Sequence, residues 1–183
     1  MSIKHYWKGF TALLLSCVLL TVAGCASQKP RNADETVDLE AIISQEAGKL
    51  LRQIPTIDPD QPFIATSFAD IDNLSQSSTL GRILGEQFSS AITRSGLPVV
   101  EVKMRGSLFL KEGTGELMLS RQLHNVLRAH DAQAVVVGTY AVGGTNVYVT
   151  ARLIRTADNR VLAAEDFTLP INRDIYGLLP RDR

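Results

Sequence analysis

Apolar residues recur on two different spacings along this chain, and the switch between them sets out the fold. From Asp38 to Ile54, Leu39, Ile42, Ile43, Ala47, Leu50, Leu51 and Ile54 recur at steps of three and four, the period that gathers side chains on one face of a helix. Asp38 caps the start and Pro55 stops the end. The stripe reads as the cover of a sheet. A partner-binding or membrane-lying helix would show the same stripe, but the shortage of flanking Lys and Arg argues against the membrane version. A second helix is expected over Thr79–Ser95, where Leu80, Ile83, Leu84, Phe88, Ala91 and Ile92 form the stripe. Ser75, Ser77 and Ser78 offer caps, Gly96 offers a left-handed terminal residue, and Pro98 bars continuation. Gly81, Gly85 and Ser89 stand four apart on this helix, a small-residue strip that lets its backbone approach a neighbour. Arg82, Glu86 and Gln87 make the helix soluble, so the strip reads as packing and not as a lipid-embedded dimer motif.

Elsewhere the period falls to two or the apolar run is continuous. Phe63–Ala69 reads as a strand followed by the polar turn Asp70–Asn73, and Pro98–Met104 reads as the next strand. Ser107–Leu110 could form a short strand, Glu112–Gly115 a turn, and Ser120 caps a third helix reaching about His130 through Leu123, Val126 and Leu127. The run Ala134–Val137 inside Ala132–Val142 suits a strand buried on both faces. Val147–Arg155 alternates, as does Val161–Leu169, with turn residues Gly143–Asn146 and Asp158–Asn159 before them. The expected fold class is therefore α/β: a single domain with a mixed β-sheet, a C-terminal antiparallel meander and helices mainly on one face.

The N-terminus follows neither pattern. Lys4 and Lys8 precede an almost wholly apolar run, Phe10–Val22, and Val22-Ala23-Gly24-Cys25 then places small residues before a cysteine. About 13 apolar residues is short of the roughly 20 that span a bilayer, so the segment reads as a cleaved secretory signal. A cysteine at the first mature position resembles a bacterial lipobox, which implies a diacylglycerol on Cys25 and an acyl chain such as palmitate on its amino group. One chain holds a protein weakly, whereas each buried CH₂ adds about 0.8 kcal/mol, so three chains anchor it firmly. Ser27, where inner-membrane lipoproteins typically carry Asp, reads as the sorting signal for the outer membrane. A plain signal peptide with an incidental cysteine, or a short uncleaved anchor, is the alternative. The organisation expected is residues 1–24 signal peptide, 25–37 lipidated tether, 38–170 α/β domain and 171–183 C-terminal tail.

Composition narrows the function class. Nineteen basic and nineteen acidic residues balance, and loss of Lys4 and Lys8 leaves a small acidic excess, so no nucleic-acid footprint exists. Cys17 leaves with the signal and Cys25 remains alone, which precludes an intrachain disulfide or a cysteine metal cluster. His5 also leaves. His124 and His130 stand six apart near one helix end and make a poor metal pair. Asp70 and Asp72 flank Ile71 in the turn after a strand, where α/β proteins often keep functional groups. Asp and Asn are equally the ordinary residues of such turns. Gly113–Gly115 and Gly143–Gly144 lack the spacing of phosphate cradles, and no serine sits in a nucleophile elbow. The expectation is no catalytic residue, no cofactor, no metal and no enzyme.

Five blocks carry a family resemblance: Phe68-Ala69-Asp70-Ile71-Asp72-Asn73-Leu74-Ser75, Ser78–Arg82, Gly115–Arg121, Val137-Gly138-Thr139-Tyr140-Ala141-Val142 and Ala151–Ile154. In this order, and with the lipobox, they resemble the FlgO family of flagellar outer-membrane lipoproteins over roughly Leu39–Leu169. The resemblance implies a lipid-anchored, periplasm-facing protein of a Gram-negative outer membrane that supports motility beside basal-body or ring proteins. It supplies no catalytic residue, and only Cys25 carries over as a site. Self-association stays open, as does the alternative of an envelope secretion or assembly lipoprotein, either a curli-type pore or a cell-wall synthase regulator. A pore needs two long amphipathic strands. Val147–Arg155 approaches that length, but Arg152 and Arg155 argue for an ordinary hairpin.

Overall fold

The structure is a computed structural model that describes residues 36–74, 76–101, 109–111, 117–119 and 121–180. Asp38 caps helix α1 (Leu39–Arg52), its carboxylate accepting from the Ala41 N–H at 2.9 Å. The buried face of α1 carries Ile43, Ala47 and Leu50, together with Glu46, whose carboxylate takes the Lys49 ammonium at 2.8 and 3.0 Å. Of the three serine candidates, Ser78 caps helix α2 (Thr79–Arg94), accepting from the Gly81 N–H at 2.9 Å. At the other end Gly96 takes φ +84°, and Leu97 N–H returns to Ile92 C=O while Gly96 N–H returns to Thr93 C=O. That is the Schellman termination, which a residue with a Cβ adopts only at a cost.

Six strands make one mixed sheet. In chain order they are β1 (Phe63–Ala65), β2 (Ala69–Asp70), β3 (Val99–Glu101), β6 (Ala134–Val142), β7 (Asn146–Arg155) and β8 (Val161–Pro170). They run β3-β1-β6-β7-β8, with β2 beside β6 beyond the end of β1. Pairing is parallel through β3, β1, β2 and β6, and antiparallel through β6, β7 and β8. Two further strands, β4 (Phe109–Lys111) and β5 (Leu117–Leu119), form a separate antiparallel pair. The intended Glu112–Gly115 turn and the Ser120 cap lie outside the described residues.

β6 is buried on both faces, as its apolar run implies. Ala134, Val136 and Tyr140 join α1 and α2 in one core, while Val135 and Val137 meet Leu123 and Leu127 of helix α3 (Arg121–Ala129) together with Ile64 and Ala69. The two long helices thus share one face, and the shorter α3 takes part of the other. The segment expected to be a tail folds: Asn172 caps a short helix, α4 (Arg173–Leu178), and Ile175 enters the larger core. Six residues with one deeply buried apolar position are too few for a helical period to register in the sequence.

The single strand expected over Phe63–Ala69 is broken into β1 and β2, and the small-residue strip of α2 explains the break. Thr66 stays on β6, its N–H donating to the Val136 C=O at 3.0 Å, and the chain then bulges by one residue between the Ala65–Val136 and Ala69–Thr139 pairs and passes directly beneath α2, with the Phe68 N–H donating to Gly81 C=O at 2.8 Å. A Cβ on Gly81 would stand 2.0 Å from the Phe68 carbonyl oxygen, and one on Gly85 would stand 2.4 Å from that of Thr66. The Phe68 ring turns back over Gly138 of β6, where a Cβ would fall 2.2 Å from it, and stacks on Phe88 with centroids 5.1 Å apart. Backbone meets backbone here, so no side chain fits. Gly81→Ala and Gly85→Leu are each expected to cost about 1–3 kcal/mol by overpacking, read as a fall of about 2–4 °C in melting temperature per kcal/mol for a domain of this size. Ser89→Ala, one turn further on, is expected to stay within about 0.5 kcal/mol.

Candidate functional site

The parallel strands end at the face where α2 begins, and their end residues line an open cleft of about 330 Å³ between Asp70, Asp72, Asn73, Gln76, Ser78, Tyr140 and Pro180. Each wall has a local cause. Asp70, only 3 % exposed, ends β2, where its Oδ1 accepts from the Asp72 N–H at 3.0 Å and its C=O accepts from the Asn73 N–H at 3.1 Å. This is an Asx-type turn. It holds Ile71 at the tip, 47 % exposed, with its N–H on the Tyr140 carbonyl at 2.9 Å. Asn73 Nδ2 donates to Gln76 Oε1 at 2.8 Å and steadies the connection toward α2.

Tyr140 forms the floor. Its ring is 1 % exposed, and its hydroxyl donates to Ser78 Oγ at 2.7 Å while that same oxygen accepts the Gly81 N–H. One serine therefore caps α2 and ties the cap to the central strand. The Tyr140 hydroxyl escapes the cost of an unsatisfied buried polar group, about 1–3 kcal/mol.

A second cleft, about 500 Å³, lies at the other end of the sheet between Ile54, Gln61, Gln133, Leu153, Arg155 and Thr156 among others. Gln133 organises it, donating to the carbonyls of Asp58 and Gln61 and accepting from the Asp58 N–H. Thr156 Oγ1 bonds the Ala132 carbonyl, and Arg155 meets Asp158 at 3.3 Å. Gln133 thus holds the 54–62 connection, while Thr156 and Arg155 bond within the neighbouring strand ends.

Among the described residues no three His, Cys, Asp or Glu side chains gather as metal ligands, and no helix is long and apolar enough to cross a membrane. His130 is exposed at the end of α3, and the side chain of His124 lies outside the described residues. So do Cys25, Ser27 and Glu112, while Lys111 closes β4. The structure brings Asp70 and Asp72 together in one turn, as their spacing suggests, but as a rigid polar rim with an apolar tip. The sequence reading missed the Ser78–Tyr140 pair because the two stand 62 positions apart. Gln133 carried no signal at all.

Residues 44–174 match the model of the FlgO protein family. The chain belongs to the FlgO family. Its fold is similar to that of the LpoB C-terminal domain from Salmonella enterica, at TM-score 0.55 and 12 % identity over 73 % of this chain and 98 % of that one. The LpoB C-terminal domain from Escherichia coli aligns at 0.51 and 11 % over the same shares, and an NMR structure of Escherichia coli LpoB at 0.50 and 8 % over 70 % and 66 %. These likenesses are of fold alone. No curated protein sequence matches the chain.

In this FlgO family chain the Ser78–Tyr140 bond joins the cleft to the fold. Tyr140→Phe removes the buried bond to Ser78 and should cost about 1 kcal/mol. Ser78→Ala removes the helix cap as well and should cost more, since a lost cap alone is worth about 0.5–2 kcal/mol. Urea unfolding midpoints of the two variants check the order.

Proposed function

We propose that this chain is a lipid-anchored protein of the Gram-negative outer membrane, facing the periplasm, that supports flagellar assembly or stability, and hence motility, through contacts with basal-body or ring proteins. The observation that carries the reading is the FlgO family match across residues 44–174. The lipobox ending at Cys25, the serine at position 27 and the polar tether behind them agree with an anchored, exported protein. The role asks for surfaces and not for turnover, and the polar rim around Asp70–Asn73 supplies one. The pore alternative fares worse, because β7 commits Val147, Val149, Ala151 and Leu153 to the core and cannot present them to lipid.

Three outcomes are expected. Cys25→Ser abolishes fatty-acid labelling and releases the protein from the outer-membrane fraction; label that persists on the variant would remove the anchor from the proposal. Deleting the gene impairs swimming while growth stays near normal, and the purified protein shows no hydrolase or nucleotide-dependent activity. Asp72→Lys, at an exposed position of the rim, weakens swimming at unchanged protein abundance, which separates lost contact from lost folding. A deletion strain that swims normally but secretes fibres poorly or shows cell-wall defects would replace the flagellar reading with the envelope-assembly one.

A further inference from the structure

The chain past β8 is led to the cleft at the parallel strand ends. Ile171 holds to the sheet through its N–H on the Thr145 carbonyl at 2.9 Å, Asn172 caps α4, and Ile175 is buried in the larger core, with Leu178 and Leu179 packed against that core. Leu179 is extended, at φ −72° and ψ 155°, as a residue before proline is pressed to be. Pro180 then stands in the wall of the cleft with Asp70, Asp72 and Asn73. Arg181, Asp182 and Arg183 follow directly and lie outside the described residues. At no more than about 3.6 Å per residue the three span about 10 Å, so they start at the cleft and cannot reach far from it.

The lining calls for a cation. Among the described residues it holds two carboxylates, Asp70 and Asp72, and no Lys, Arg or His. Two of its donors are turned on the lining itself, Asn73 Nδ2 on Gln76 Oε1 and the Tyr140 hydroxyl on Ser78 Oγ, which leaves the cleft rich in acceptors. Arg82, at the start of α2, is engaged with the hydroxyls of Ser77 and Thr79. A guanidinium carries five donors and no acceptor, and its bonds to a carboxylate are stronger than those between neutral groups.

We propose that the chain's own Arg181 enters this cleft and sets its guanidinium on the Asp72 carboxylate, so that the segment after Pro180 covers the rim from within. In an extended run Arg183 falls on the same side and Asp182 on the other, which keeps the one acidic residue of the segment away from the carboxylates. About 330 Å³ takes a side chain or two and no folded element, so the occupant is a short stretch of chain. This stretch is already attached at the wall, and so short a link raises its local concentration to about the millimolar range. One exposed ion pair is weak, so a competing basic segment displaces the cover. On the flagellar reading, which this consequence rests on, a partner that uses Asp72 gains it by exchange with Arg181 and does not meet an open surface.

Trypsin must take the Arg181 guanidinium into its own specificity pocket to cut after it, so a side chain held by Asp72 is protected. With the full chain purified from its host in detergent micelles and read by intact mass, Asp72→Asn should be cut at the Arg181–Asp182 bond several-fold faster than the unsubstituted chain. Cleavage after Arg31, in the segment before α1, is the internal control and should not change. Amide hydrogen exchange across Asp70–Asn73 is the second readout: Arg181→Gln should speed it several-fold, and Asp182→Asn should leave it as it is. Equal cleavage of Asp72→Asn and the unsubstituted chain overturns the proposal, as does exchange that ignores Arg181→Gln or responds equally to Asp182→Asn. Protection that falls on dilution assigns the segment of a second copy and overturns it too. Neither readout uses swimming, so failure here leaves the flagellar reading to its own test.

Discussion

Everything in this domain is arranged around one close approach, that of the α2 backbone to the Thr66–Phe68 crossing. Gly81 and Gly85 remove the side chains that would hold the two apart, and the Phe68 N–H then finds the Gly81 carbonyl. With the crossing drawn in, the Phe68 ring has a single place to go, above Gly138 and against Phe88. Protein interiors are packed as densely as organic crystals, so fixing this ring fixes the spacing between helix layer and sheet for the residues around it. The break between β1 and β2 follows, because a strand running straight on would leave the crossing out of reach of the helix.

The same approach positions the candidate site. β2 resumes beside β6 only after the crossing, and it resumes for two residues, ending at Asp70. The turn at Asp70–Asn73 is therefore delivered to the mouth of the sheet next to the start of α2, where Ser78 and Tyr140 lock strand to helix. Loops placed by a rigid scaffold are where binding and catalytic residues concentrate. The rim is made of the same bonds that finish the fold, and its one apolar projection is Ile71.

What could be read from the sequence was whatever rests on local pattern. Asp38 and Ser78 cap the helices that their apolar stripes outline, and Ala134–Val142 and the two strands after it lie within a residue or two of their apolar runs. The mixed sheet followed from that order. The strip at Gly81 and Gly85 was legible as a packing surface, but not the consequence for Thr66–Phe68, because a bend imposed by a distant helix leaves no periodicity of its own. β5 is three residues long and α4 six, both below the length at which a period declares itself. In the site, Asp70 and Asp72 were visible because they are adjacent. Ser78 with Tyr140 was not, since the pair joins residues whose distance along the chain is erased only by folding.

The placement of β6 also sets the order in which the chain can assemble. On one side β6 meets β7 through a tight turn, and β8 follows by another, so this half of the sheet closes loops of a few residues. On the other side its partner is β1, and the bond from Thr66 Oγ1 to the Val136 carbonyl spans 70 positions. Loop closure over that distance loses entropy before any contact rewards it. The meander is thus the quick half of the molecule and the parallel pairing the slow half, and the apolar stripes of α1 and α2 stay uncovered until the last strands have been made. In a chain made from its N-terminus those helices appear first and wait longest for cover, which makes the interval before closure the period of greatest exposure to aggregation.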